Sequence, residues 1–156
     1  MKKDLVLSSG FLVLLVILIG ATVFLPVGAE TIIGSAHFDP SGIDLALPAP
    51  SVVKGTIRFP SKSPYSVKDI NASTVLLEDS LPPDNTYLIP GGLVADFDGE
   101  IVVNILWAQI YHIGALTPPY KVWLTITGKL NDTAGGIPFE AEGYIKIVVP
   151  HSPPPP

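Results

Sequence analysis

The chain has 156 residues, a formal net charge of −5, 47% hydrophobic side chains and no cysteine. That length holds one ordinary domain with little left for a second. The missing thiols exclude disulfide staples, thiolate metal sites and thiol nucleophiles, and nine scattered basic residues do not form the clustered charge that a nucleic-acid partner requires.

Much of the apolar character sits in the opening "MKKDLVLSSGFLVLLVILIGATVFLPVGAE". Lys2 and Lys3 precede an apolar run over residues 5–25, followed by Pro26 and small residues at Val27 and Ala29. Two readings stand open. Small residues before Glu30 fit a cleaved signal peptide, while a run of that length also suffices to span roughly 30 Å of hydrocarbon as a retained transmembrane helix. Either one places residues 30–156 outside the cytoplasm, because the two lysines hold the N-terminus inside. Beyond Lys2, Lys3 and Asp4 there remain 13 acidic and 7 basic side chains.

Seventeen prolines and fourteen glycines punctuate the remainder, and short β-type runs lie between them. "TIIGSA" is apolar and ends at the turn-like "HFDPSG", and "IDLALP" alternates from Ile43 to Leu47. In "SVVKGTIRFP", Val53, Gly55, Ile57 and Phe59 share one face and Val52, Lys54, Thr56 and Arg58 the other. That period of two predicts a half-buried strand. "SVKDINASTVLLEDSLPP" reads as a turn, then a strand at "STVLLED", stopped by Pro82 and Pro83, which cannot donate to a ladder. Pro90-Gly91-Gly92 predicts a turn. "EIVVNILW" reads as a buried strand and "AQIYHIGAL" as a short crossover of one or two helical turns.

The last hairpin has the clearest alternation. Val122, Leu124 and Ile126 oppose Lys121, Trp123, Thr125 and Thr127, and "NDTAGG" supplies the turn. The return strand sets Phe139, Ala141, Gly143, Ile145 and Ile147 against Glu140, Glu142, Tyr144 and Lys146. A helical period of 3.6 would scatter these charges round the axis. "PHSPPPP" leaves as an extended proline-rich tail over residues 150–156. Seven to eight short strands with turn chemistry between them predict an all-β domain over residues 30–149, an antiparallel β-sandwich of Ig-like architecture.

Four blocks carry a resemblance: "SVKDINASTVLLEDSLPP", "ADFDGE", "VWLTITGKL" and "GIPFEAEGYIKIV". In this order they resemble a secreted β-sandwich module that recurs in bacterial and archaeal extracellular proteins, often beside dockerin or other cell-surface domains. The module's pattern has an Asp-Ile-Asp-x-Ser-Thr-Val-x-Leu lead-in, an Asp-x-Asp-Gly-Asp-Gly loop, a strand ending Thr-Gly-x-Leu and a closing Gly-x-Pro-Phe-x-Gly strand. The likeness covers about residues 53–149. It implies a secreted or cell-surface setting and a calcium-type loop at Asp96, Asp98 and Glu100. Here the loop is degenerate, since the chain runs from "ADFDGE" straight into "IVVNILW". Calcium takes six to eight oxygens, so a second loop would have to contribute. The plainer reading is a tight acidic turn with Gly99 in a left-handed conformation.

No catalytic centre emerges. The three histidines, His37, His112 and His151, are dispersed, and no Gly-x-Ser-x-Gly elbow is present. Glu140 and Glu142 fall on a polar strand face. Asn71-Ala-Ser73 and Asn131-Asp-Thr133 are N-glycosylation sequons. Trp123 and Tyr144 fall on the polar faces of the last hairpin, where cross-strand aromatics would offer a stacking platform for glycan. The expected function is a non-catalytic extracellular structural or interaction module, secreted or tethered at the cell surface, whose partners are other surface proteins or copies of itself. Two alternatives remain: a surface-filament subunit in which the early strands "TIIGSA" and "IDLAL" add to a neighbour's sheet edge, and a calcium- or carbohydrate-binding accessory module.

Overall fold

The computed structural model describes residues 30–113 and 120–148. The signal peptide or anchor expected at 1–29 and the tail expected at 150–156 lie outside them. Eight strands and one α-helix occur in the described chain: β1 (Ile32–Asp39), β2 (Gly42–Asp44), β3 (Val52–Arg58), β4 (Leu76–Leu77), β5 (Asn85–Ile89), β6 (Gly92–Asp98), α1 (Gly99–Ile113), β7 (Tyr120–Lys129) and β8 (Pro138–Val148). Among the described residues no helix is long and apolar enough to cross a membrane.

All eight strands join one sheet in the order β4-β7-β8-β1-β3-β6-β5, with β2 also paired to β8. The sheet curls into a half-barrel. This corrects the expected antiparallel sandwich: the strand content stands, but there are not two facing antiparallel sheets. β1 pairs β8 in parallel from Ile32↔Phe139 to Ser35↔Glu142, and β2 pairs it in parallel from Gly42↔Lys146 to Asp44↔Val148. A period of two decides which face a side chain takes, and it carries no information about a neighbour's direction. The remaining pairs are antiparallel.

The concave face holds the core, with Phe38, Val53, Ile57, Phe97, Leu124, Ile126, Phe139 and Ile145 buried in one cluster. The helix α1 adds Val102 and Leu106 to it, four residues apart on one helical stripe. The strand expected at "EIVVNILW" is therefore a helix. Its β-branched residues are only mildly unfavourable in helices, and an apolar stripe packed on a core outweighs that preference. Its start is equally explicit. The Asp98 carboxylate Oδ1 accepts from the backbone N–H of Glu100 at 2.9 Å and of Ile101 at 3.0 Å, as an N-cap does. Gly99 has no left-handed φ, which corrects the expected turn geometry. A Cβ there would run into the Pro50 carbonyl, so glycine is required by close approach.

The stretch over 66–79 forms two 3-10 turns and one short strand, rather than the longer strand expected at "STVLLED". Ser66 and Asp69 close a capping box: Ser66 N–H donates to Asp69 Oδ2 at 2.8 Å, and Lys68 N–H donates to Ser66 Oγ at 3.3 Å. Glu78 and Asp79 then take left-handed φ of 49° and 54°, a strained state for non-glycine residues. Their side chains hold the turn in place. Glu78 Oε1 accepts from Thr125 N–H at 2.6 Å and Oε2 from Gln109 Nε2 at 3.0 Å, while Asp79 Oδ1 accepts from Thr127 Oγ1 at 2.8 Å. Glu78 thereby ties the sheet edge at β7 to α1.

Candidate functional site

The β7–β8 ladder runs from Tyr120↔Ile147 to Lys129↔Pro138 and sets Trp123 directly opposite Tyr144. Both point away from the core. Their ring centroids are 5.3 Å apart with planes at 63°, an edge-to-face pair, and the Lys121 ammonium stands 4.7 Å from the Tyr144 centroid. An edge-to-face contact contributes about 0.5–1.5 kcal/mol and an exposed cation–π contact about 0.5–1 kcal/mol. Together they fix Tyr144 while leaving Trp123 59% and Tyr144 37% exposed. The cross-strand neighbourhood expected of these two rings is the geometry observed.

Tyr144 has a second neighbour that sequence reasoning missed. β8 pairs β1 as far as Glu142 and resumes with β2 at Lys146, so the sheet splits between those positions. The split opens a cavity of about 240 Å³ lined by Ala36, His37, Ser41, Tyr144 and Lys146. Gly143 marks the seam, because a Cβ there would strike the Ala36 carbonyl. His37 lies on the exposed face of β1. The lining offers an imidazole, a hydroxyl, a phenol and an ammonium, which suits a ligand rich in hydroxyl or anionic oxygens. Nothing in the one-dimensional pattern points to this cavity, since it depends on two different strands sharing one partner.

The acidic stretch at the end of β6 is built differently. Asp96 faces Lys54 and Asn85 in register, and its Oδ1 is buried without a hydrogen-bond partner. Asp98 caps α1, and Glu100 is exposed in the first helical turn. Among the described residues no group of three or more His, Asp or Glu side chains gathers closely enough to hold a metal ion. The cap has a measurable role. Asp98→Ala should lower stability by about 1 kcal/mol, a fall of a few degrees in the unfolding midpoint, whereas Asp98→Asn, which keeps the acceptor, should cost much less. Equal losses in the two variants would overturn the capping role and point to the charge.

The two sequons lie side by side. Ile70 and Leu130 form an antiparallel bridge, Asn71 N–H donates to the Lys129 carbonyl at 2.9 Å, and Asn131 N–H donates to the Asp69 carbonyl at 2.7 Å. Asn71 Oδ1 caps the turn at Ala72–Thr74, accepting from Ser73 N–H at 3.2 Å and Ser73 Oγ at 2.7 Å. Both asparagines are half-buried. Glu140 and Glu142 are exposed on the outer face of β8. His112 falls in α1, but its side chain, like His151, lies outside the described residues. No protein-family model, no curated protein and no solved structure matches this chain.

Proposed function

We propose that this chain is a non-catalytic interaction module that works outside the cytoplasm, secreted or tethered at the cell surface by residues 5–25. One observation carries the reading: the outer face of the β7–β8 hairpin holds two large aromatic rings exposed and mutually braced. Scattered single apolar residues are normal on protein surfaces, but a fixed aromatic pair on a rigid sheet is a platform for stacking. Surface carbohydrate is the ligand class this favours, because sugar rings present flat C–H faces beside hydroxyls. The kinship with secreted β-sandwich modules is part of the proposal. Its support is the order of the four blocks, which fall at β4, at the β6–α1 junction, on β7 and on β8. On this reading the curled sheet does the work that a sandwich does elsewhere, holding a face and its loops rigid.

Affinity electrophoresis of the full-length chain, solubilised in a detergent without a sugar headgroup, tests the proposal. Gels containing soluble polysaccharide should retard the wild type, and Trp123→Ala should migrate freely while still unfolding cooperatively, its midpoint lowered only by the few degrees that losing the edge-to-face contact costs. Unretarded wild-type migration in neutral and acidic polysaccharides alike would sink the carbohydrate reading.

A second reading rests on a separate observation. β5 is a terminal strand of the sheet, paired only with β6, and it exposes Tyr87 and Leu88. A free edge can accept a neighbour's strand. The early segment "TIIGSA" is not available for this, because β1 lies mid-sheet between β8 and β3. Sedimentation velocity across a range of concentrations distinguishes the two readings, since edge-to-edge assembly predicts growth of the particle and a monomeric module predicts none.

A further inference from the structure

Three features of the outer face converge on one place. The first is a pair of like charges: Lys121 and Lys146 occupy directly opposite positions on β7 and β8, both exposed. Like charges placed opposite each other in a ladder are destabilising by themselves, and a bound anion removes that repulsion. The second is the cavity at the split in the sheet, where Lys146 is joined by His37, Ser41 and the Tyr144 phenol. At about 240 Å³ it falls below the roughly 300–1,000 Å³ of drug-sized pockets, which is room for one sugar ring or its substituent. The third is the order of the elements. Trp123 on β7, Tyr144 on β8 and the cavity beyond it form one row across the strands, with neighbouring strands about 4.8 Å apart.

We infer that this row is a subsite for an anionic oligosaccharide, with one pyranose stacked on Trp123 and a neighbouring carboxylate-bearing ring seated at the cavity beside Lys146 and Lys121. The inference rests on the carbohydrate-binding reading and adds the charge of the ligand. The chemistry follows from the lining. A carboxylate accepts hydrogen bonds only, and the ammonium, hydroxyl and phenol groups can donate them. Charge-assisted bonds of this kind are the stronger ones. Along β8 the acidic side chains of this face, Glu140 and Glu142, pair with Thr127 and Thr125, on the side of the aromatic row away from Lys121 and Lys146. Asp39 at the end of β1 and Asp44 on β2 also fall on the outer face, and Asp44 Oδ1 accepts from the Ala46 N–H at 2.9 Å. On β7 and β8 themselves the lysine side of Tyr144 is the cationic side, and the ligand's anionic group is assigned there.

The test uses the full-length chain in a detergent without a sugar headgroup and reads binding by isothermal titration calorimetry, which does not depend on Trp123 as a reporter. The probes are an oligogalacturonate, a sulfated oligosaccharide and a neutral gluco-oligosaccharide of matched length. The oligogalacturonate should bind about tenfold more tightly than the neutral oligomer, the difference expected of one charge-assisted contact. Lys121→Ala/Lys146→Ala should erase that preference, bringing the acidic oligomer down to the affinity of the neutral one, and Trp123→Ala should abolish both. Raising the salt should weaken only the acidic arm. Preferential binding of the sulfated oligomer would keep the anionic subsite and replace carboxylate by sulfate as its ligand. Equal affinity for acidic and neutral oligomers would overturn this inference and leave the carbohydrate reading intact. Absence of binding by all three would overturn both.

Discussion

Gly143→Ala is expected to lower the unfolding midpoint by about 10 °C or more, the shift that corresponds to a loss of about 3 kcal/mol in a domain of this size. Gly143 sits in the middle of β8, where the nearest atom to a new methyl group would be the Ala36 backbone carbonyl, with the Phe38 ring also at 3.0 Å. Overpacking a core by a methyl group typically costs about 1–3 kcal/mol when side chains can yield. Here the obstacle is backbone, and Ala36 is fastened from its other side by pairing with Ile57 of β3. β1 therefore cannot retreat without breaking one ladder or the other. Gly55→Ala is the informative contrast, because its nearest obstacle is the Ile126 Cδ1 methyl at 2.5 Å, the end of a side chain. Combining it with Ile126→Val should recover part of the loss, a coupling of the sort neighbouring residues show, while no side-chain truncation should rescue Gly143→Ala. A midpoint for Gly143→Ala within two or so degrees of wild type would mean that β1 and β8 are not held in this register.

The second large effect is expected at Phe97. This ring is fully buried on β6 and lies 3.2 Å from the position a Gly55 Cβ would take, so the absent side chain on β3 is the space the ring fills. Phe97→Ala should cost about 3–5 kcal/mol, a large share of the roughly 5–15 kcal/mol that domains possess. Denaturant titration should show the midpoint falling with the slope unchanged. A loss below about 1 kcal/mol would show that β6 does not bury this face, and the sheet order would have to be revised.

What was legible in the sequence follows the physics of each element. The β7–β8 hairpin is legible residue by residue, because strict alternation over ten positions admits one assignment of faces. Once the faces are assigned, Trp123 and Tyr144 must share the outer one. β3 was legible for the same reason. The helix is hidden by the β-branched residues of "EIVVNILW", although two signals favour it: Asp98 in capping position, and fifteen residues from Gly99 to Ile113 without a proline, longer than strands ordinarily run. The parallel pairing of β8 with β1 and β2 was out of reach. It is a long-range choice of partner and direction, and no local preference encodes it. The cavity at the split is a product of that choice: in the sequence His37 is one of three dispersed histidines, Lys146 one of several polar residues on a strand face, and Ser41 nothing more than part of a turn. "HFDPSG" illustrates the same limit, since its first half extends β1 to Asp39 and only its second half turns.

The parallel pairing has a mechanical consequence. β1 and β8 are the first and last strands of the described chain, they are neighbours, and Ile32 lies beside Phe139. The chain therefore enters at one end of the half-barrel and leaves at the other, the entry beside Phe139 and the exit at Val148 lying nine residues apart along β8, roughly 30 Å at 3.3 Å per residue. Tension applied between those two points runs along both strands in opposite senses. The hydrogen bonds joining them lie across that pull and carry the load together, as rivets do in shear, instead of opening one at a time like a zip. A pull in this direction loads the four β1–β8 pairs from Ile32 to Ser35 at the same moment.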